Sequence, residues 1–131
     1  MLQEIVIGNA AEALASSASG WVIGHFMKEA ITHNEEFEIK IWHYDSQPDY
    51  GKKEFKGTEF IIVEKGGLRL ELEIPDGQGV FSSRHVELKA STRDYIVIPP
   101  NCRKRVVVTE APAYGITVRW PSGPGVNVVI E

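Results

Sequence analysis

The sequence is poor in the features that most often announce a function. It has a single cysteine, Cys102, among 131 residues. That excludes an internal disulfide and fits a reducing compartment. Its apolar runs are short, as in Phe60-Ile61-Ile62-Val63, far below the ~20 residues a helix needs to cross a bilayer. The chain opens Met-Leu-Gln-Glu, with no basic stretch ahead of an apolar segment, so no secretory leader is expected. Charge of one sign is scarce too. The 14 Lys+Arg stand against 18 Asp+Glu, a formal net charge of -4, which gives no global attraction to nucleic acid. Neither a nucleic-acid nor a membrane partner is therefore expected, and the expected location is cytoplasmic. There is no phosphate loop, dinucleotide fingerprint or nucleophile elbow. The four histidines, His25, His33, His43 and His85, contain no His-x-His pair.

What the sequence does contain is a succession of short β segments. Its 12 Gly and 7 Pro are clustered, and the clusters cut the chain into pieces. Leu2–Ile7 is rich in Ile and Val and reads as a short strand. Asn9 is placed to cap a helix, with Glu12 three residues on as its capping-box partner. Ala10–Ala18 supplies about two helical turns that end near Gly20. Residues 1–20 thus form a strand–helix arm, and residues 21–131 form the body of a single domain spanning 1–131.

In the body, Trp21–Met27 and Glu35–Tyr44 read as strands. In the second, Phe37, Ile39, Ile41 and His43 share one face, and Glu38, Lys40, Trp42 and Tyr44 share the other. The apolar face is expected to point to the core. After a loop at Asp45–Gly51, Lys52–Phe55 forms a short charged strand. Glu59–Lys65, Gly66-Gly67 and Leu68–Ile74 read as strand, two-residue hairpin turn and strand. Val80–Lys89 and Tyr95–Ile98 follow, then a rigid corner at Pro99-Pro100-Asn101. Arg103–Thr109 and Tyr114–Trp120 are read as two strands broken at Ala111-Pro112. Val126–Ile130 closes the chain. Roughly ten short strands with regular turn signals indicate an all-β sandwich or barrel.

From Lys53 to about Val108 the chain resembles the cupin superfamily of small β-barrels. Glu59 and Gly66 have the Glu-to-Gly spacing of the first cupin motif. Arg93-Asp94-Tyr95-Ile96-Val97-Ile98-Pro99-Pro100-Asn101 matches the strand and corner of the second, with Arg93 and Asn101 where glycines are usual. Ile116–Pro121 looks like the closing strand of small single-domain cupins. The resemblance implies an all-β, cupin-like double-stranded barrel (jelly roll) and a homodimer, with an exposed terminal strand such as Val126–Ile130 as a natural pairing edge. In the family a His pair and Glu of the first motif and a His of the second hold a metal. Here the His-pair positions fall on Lys52 or Lys53 and on Glu54 or Phe55, and the second-motif His position falls on Lys104. An ammonium has no lone pair for a cation, so no metal or other cofactor is expected, and a divalent metal is disfavoured.

A buried Glu59 needs a partner, and an ion pair with Lys104 is expected to replace the metal site. Glu59 reads either as a ligand-binding carboxylate or general base, or as a structural salt-bridge partner. Lys104 reads as an anion ligand or as a solvated member of Arg103-Lys104-Arg105. His43 and Trp120 are expected to reach the cavity, with Trp120 at its mouth and Arg119 on the opposite face. Phe55 and Lys53 complete the candidate ligand-binding set. Trp42, Tyr44 and Tyr95 are further aromatics able to line a pocket or to fill the core. Cys102, ahead of three cations, reads as an incidental thiol or one of lowered pKa. The function implied is binding of a small polar or anionic molecule without a metal. The alternative is a metal-dependent isomerase or oxygenase using Glu59 and non-motif histidines.

Overall fold

The computed structural model describes residues 5–48 and 51–129, the side chains of 127–129 excepted. It contains one helix, α1 (Ala10–Ala15), a single 3-10 turn at Ala90–Thr92, and eight strands. The strands are β1 (Trp21–Ile23), β2 (Glu38–Tyr44), β3 (Lys53–Phe55), β4 (Thr58–Pro75), β5 (Phe81–Lys89), β6 (Tyr95–Ile98), β7 (Cys102–Trp120) and β8 (Asn127–Val129).

The frame is the long antiparallel ribbon of β4 and β7, paired from Thr58↔Trp120 to Glu73↔Arg103. Its register shifts between Val63 and Leu68, which divides the ribbon into two halves. Each half carries its own flanking strands. The first wing runs β1-β2-β7-β4-β6 and the second β8-β3-β7-β4-β5. Two wings sharing a bent ribbon make a jelly-roll barrel that is left open. Among the described residues β1, β5, β6 and β8 each pair on one side only.

The expected Gly66-Gly67 hairpin is therefore a bend within one strand. Gly66 has φ +74°, and a Cβ there would run into the carbonyl oxygens of Glu110 and Pro112 on β7. The glycine pair serves a bulge and a close backbone approach rather than a reversal. The expected break at Ala111-Pro112 is the matching bend of β7, which stays one strand through a cis Ala111–Pro112 bond.

Other elements follow the expected pattern with shorter bounds. Asn9 Oδ1 accepts the Glu12 N–H at 2.9 Å and starts α1. The strand expected at Leu2–Ile7 falls partly outside the described residues. Ile5–Ile7 pair with nothing described and are 83%, 53% and 89% exposed. The strand expected over Trp21–Met27 stops at Ile23, since the backbone of Gly24 turns toward Thr32 and Asn34. Arg93 and Asn101, at the positions where cupins carry glycine, both adopt left-handed backbone, φ +53° and +67°. The turn geometry is kept although the glycines are not.

The core clusters toward the bend. Val63, Leu68, Leu70, Leu88 and Ala113 are almost fully buried there. Away from the bend the interior turns polar, with Glu38, Glu59, Thr117 and Arg119 all buried.

Candidate functional site

The open end of the barrel encloses a cavity of about 110 Å³ that continues into a smaller one of about 30 Å³. Lys53, Glu59, Lys104 and Arg119 border both. Lys40 and the aromatic rings of Trp21, Trp42 and Tyr44 wall the larger part, and Phe55 and Cys102 the smaller. β4 supplies the carboxylate, β7 two cations, and β2 and β3 one each. Alternation along each strand sends these side chains inward while their neighbours point out.

Glu59 is 4% exposed. Lys104 Nζ donates to its Oε1 at 2.7 Å. Its Oε2 lies 3.9 Å from Nη1 of Arg119. Arg119 in turn donates to Glu38 Oε2, from Nε at 3.0 Å and from Nη2 at 2.7 Å. The guanidinium is sandwiched between Trp21 and Phe55, its central carbon 4.4 Å and 4.8 Å from the two ring centroids. That stacking is available to a planar cation and fixes Arg119 in place. Glu38 approaches His25 Nδ1 at 3.9 Å, and the same nitrogen meets Ser122 Oγ at 2.8 Å. Serine and carboxylate thus share one imidazole nitrogen, so this cluster is no Ser-His-Glu relay, which needs one partner on each ring nitrogen.

Among the described residues cations outnumber carboxylates here. Lys53 lies directly opposite Lys104 across β3 and β7. Lys40 stands 5.5 Å over the Trp21 ring and makes no ion pair among the described residues. Burial pushes its pKa down to about 8, helped by Lys53, Arg119 and Lys104, against the opposing pull of Glu59. Burial lowers Lys53 as well, with Lys104 and Arg119 adding to it. Trp42 is 4% exposed, and its Nε1–H has no hydrogen-bond partner among the described residues.

Four of the expected site residues converge: Glu59, Lys104, Lys53 and Phe55. Two do not. His43 sits on the outer surface, bound to Asp45 Oδ1 at 2.9 Å and stacked on Tyr114 at 5.4 Å. Trp120 is 41% exposed and Arg119 takes the inner position. The cause is the same for both. The apolar face of β2 (Ile39, Ile41) and the Ile116–Val118–Trp120 face of β7 turn outward. The charged face, Glu38, Lys40 and Trp42, lines the cavity. Tyr95, also 64% exposed, packs on Phe60 outside. Cys102 is 3% exposed and burial raises its pKa, so the neighbouring cations do not activate it. Arg119, Glu38, Lys40 and Trp21 are the site residues missed. The available signal was Glu38-x-Lys40 in register with Thr117-x-Arg119, a polar stripe across two strands.

No family model matches the sequence, and no curated protein does. Solved structures do. One is an oxalate oxidase in complex with the substrate analogue glycolate, at 16% identity and a TM-score of 0.57, the match covering 72% of this chain and 46% of that one. Another is a cupin superfamily protein from Desulfitobacterium hafniense, at 9% identity and a TM-score of 0.53, covering 67% and 70%. A third is the vicilin of Solanum melongena, at 15% identity and a TM-score of 0.56, covering 70% and 24%. The chain thus spans less than half the length of the oxalate oxidase. At these identities the likeness is one of fold, and the fold is that of the cupins.

Proposed function

We propose that the open end of the barrel binds a small anion, of the size of a short carboxylate, without a metal ion. The observation that supports this most is the charge count on the cavity. Lys40, Lys53, Lys104 and Arg119 face Glu59, with Glu38 held behind Arg119. Among the described residues the charged lining is mainly cationic, and Lys40 makes no ion pair there. Like charges in direct cross-strand register destabilise a sheet, and burial adds to the cost. An anion between Lys53 and Lys104 eases both penalties, and Nη1 of Arg119, which is 3.9 Å from Glu59 Oε2, is placed to add a charged donor. The unpartnered Trp42 Nε1–H adds a neutral donor. The likeness to the Solanum melongena vicilin, described with different anionic ligands in structurally similar pockets, supports the same reading.

The donor set fits a divalent cation poorly. Glu59 is the carboxylate at the family's metal position, and an ammonium already occupies its Oε1. Among the described residues no imidazole lines the cavity and no group of three metal-ligating side chains occurs. These residues favour an anion over a metal ion as the occupant.

Calorimetric titration with oxalate, lactate and inorganic phosphate at neutral pH tests the proposal. At least one of them is expected to bind, more weakly as salt rises, and Arg119→Met is expected to weaken it. The absence of binding by all three overturns it.

A further inference from the structure

We propose that Lys40 condenses reversibly with the carbonyl carbon of a small 2-oxo acid, so that the barrel captures such acids as imines. The inference rests on the anion reading above and adds a covalent site to it. Lys40 differs from the other cavity cations in its surroundings. Lys104 is held by Glu59, and Arg119 by Glu38. Lys40 has the Trp21 ring beneath it and no ion pair among the described residues. The groups facing it from neighbouring strands are Lys53 on β3, Lys104 and Arg119 on β7, and Glu59 on β4. Three of these four are cations, and desolvation beside cations is what turns a lysine into a neutral nucleophile.

The cavity also supplies what the acid end requires. The carboxylate of a 2-oxo acid sits one bond from its carbonyl carbon. Lys53, Lys104 and Arg119 line the same cavity as Lys40, so a carboxylate held on them brings the carbonyl toward the Lys40 amine. The step is redox-neutral. The amine lone pair attacks the carbonyl carbon, a C–N bond forms as the C=O π bond opens, and one N–H proton passes to the oxygen to give a carbinolamine. A second proton, available from the Lys53 or Lys104 ammonium, lets that oxygen leave as water. The nitrogen loses its proton and the C=N bond remains. Water reverses the sequence.

The test uses the whole chain at pH 8 with pyruvate and sodium cyanoborohydride, followed by peptide mass mapping. With its pKa near 8, Lys40 carries about a hundredfold more free amine than an ordinary lysine at that pH. The reduced adduct is therefore expected on Lys40 at roughly that excess over the exposed Lys56, Lys65 and Lys89. Lactate, which has the carboxylate but no carbonyl, is expected to protect Lys40. Acetaldehyde, which has the carbonyl but no carboxylate, meets the same free amine without the anchor, so it is expected to label Lys40 less than pyruvate does at equal concentration. Lys40→Arg and Lys40→Met, checked for folding by circular dichroism, are expected to lose the adduct. If lactate binds calorimetrically but Lys40 is not trapped, the imine is overturned and the anion site stands. If oxalate, lactate and phosphate all fail to bind and pyruvate labels Lys40 no better than the surface lysines, both fall. Equal trapping of pyruvate and acetaldehyde on Lys40 overturns the carboxylate anchor.

Discussion

Glu59 holds Lys104 at 2.7 Å and approaches Arg119, with little exposure to solvent. Removing one member of a buried pair leaves the other uncompensated, which costs about 3 kcal/mol. Glu59→Gln is expected to lower stability by that order in urea denaturation, and Lys104→Met by less, since Glu59 keeps Arg119. The same Glu59→Gln protein gains positive charge in its cavity, so its affinity for oxalate is expected to rise. A purely structural Glu59 predicts no such gain. Lys40 gives a pH signature. Its pKa in the folded chain is near 8, against about 10.4 when unfolded. Between these values the unfolded state binds more protons, so this lysine's contribution makes stability rise with pH from about 8 toward 10. Below pH 8 both states are protonated and the cost of burying the ammonium is present in full. Lys53 acts in the same direction, and the buried Cys102 thiol, raised by burial, acts oppositely. In a Cys102→Ala background the urea midpoint is therefore expected to climb from pH 7.5 to 9.5, and less steeply with Lys40→Met. The Glu59–Lys104 contact was legible in the sequence because motif spacing fixed both positions. Lys40 and Arg119 were not. Alternation separates two faces of a strand but does not say which is inner, and the rule that the apolar face is inner fails where the cavity itself is charged.

The elements that shape the site are β4 and β7, and the bend they share carries the architecture. Gly66 is left-handed and pressed against two carbonyls of β7. Gly66→Ala adds left-handed strain and a backbone clash, with an expected loss of roughly 3 kcal/mol in chemical denaturation. Gly77 offers the control. It also has positive φ but open space around it, so Gly77→Ala is expected to cost only the strain, about 1 kcal/mol. Arg93 presents the reverse case. It holds φ +53° with a full side chain, and Arg93→Gly is expected to stabilise by roughly 0.5 kcal/mol once glycine's own entropy is subtracted. These positions show how far a sequence can be read at this scale. A glycine pair between two β patterns fits a hairpin and a bulge equally well in local terms. The choice is made by β7, whose own bend lies more than forty residues away and offers no local mark on β4. The cupin spacing from Glu59 to Gly66 survived because it fixes positions along one strand, whatever the chain does at its end.

At the scale of the molecule the two wings differ in their outer faces. The second wing is charged outside and laced with ion pairs: Lys52–Glu73, Arg103–Glu54 and Arg69–Glu71. The first wing carries Ile39, Val118, Phe60 and Val97 in one cross-strand row, and Ile41, Ile116, Ile62 and Tyr95 in the next. Val97 and Tyr95 are exposed there and the others half-buried, an apolar stripe suited to being covered by a partner. The C-terminal strand, an expected pairing edge, joins β3 on one side and leaves its other edge unpaired among the described residues. Pairing of two copies through the outer face of the first wing and the free edge of β6 would cover that apolar stripe and one of the four free edges. Val97 is 52% exposed at that edge. Sedimentation equilibrium at micromolar concentration is expected to give twice the chain mass for the native sequence and the chain mass for Val97→Asp. Ser83→Asp, on the exposed outer face of the second wing, is expected to leave the dimer intact. A native protein that sediments as a single chain overturns the pairing. A dimer that Ser83→Asp dissolves and Val97→Asp does not moves it to the charged wing, where the ion pairs rather than the apolar rows then hold the copies together.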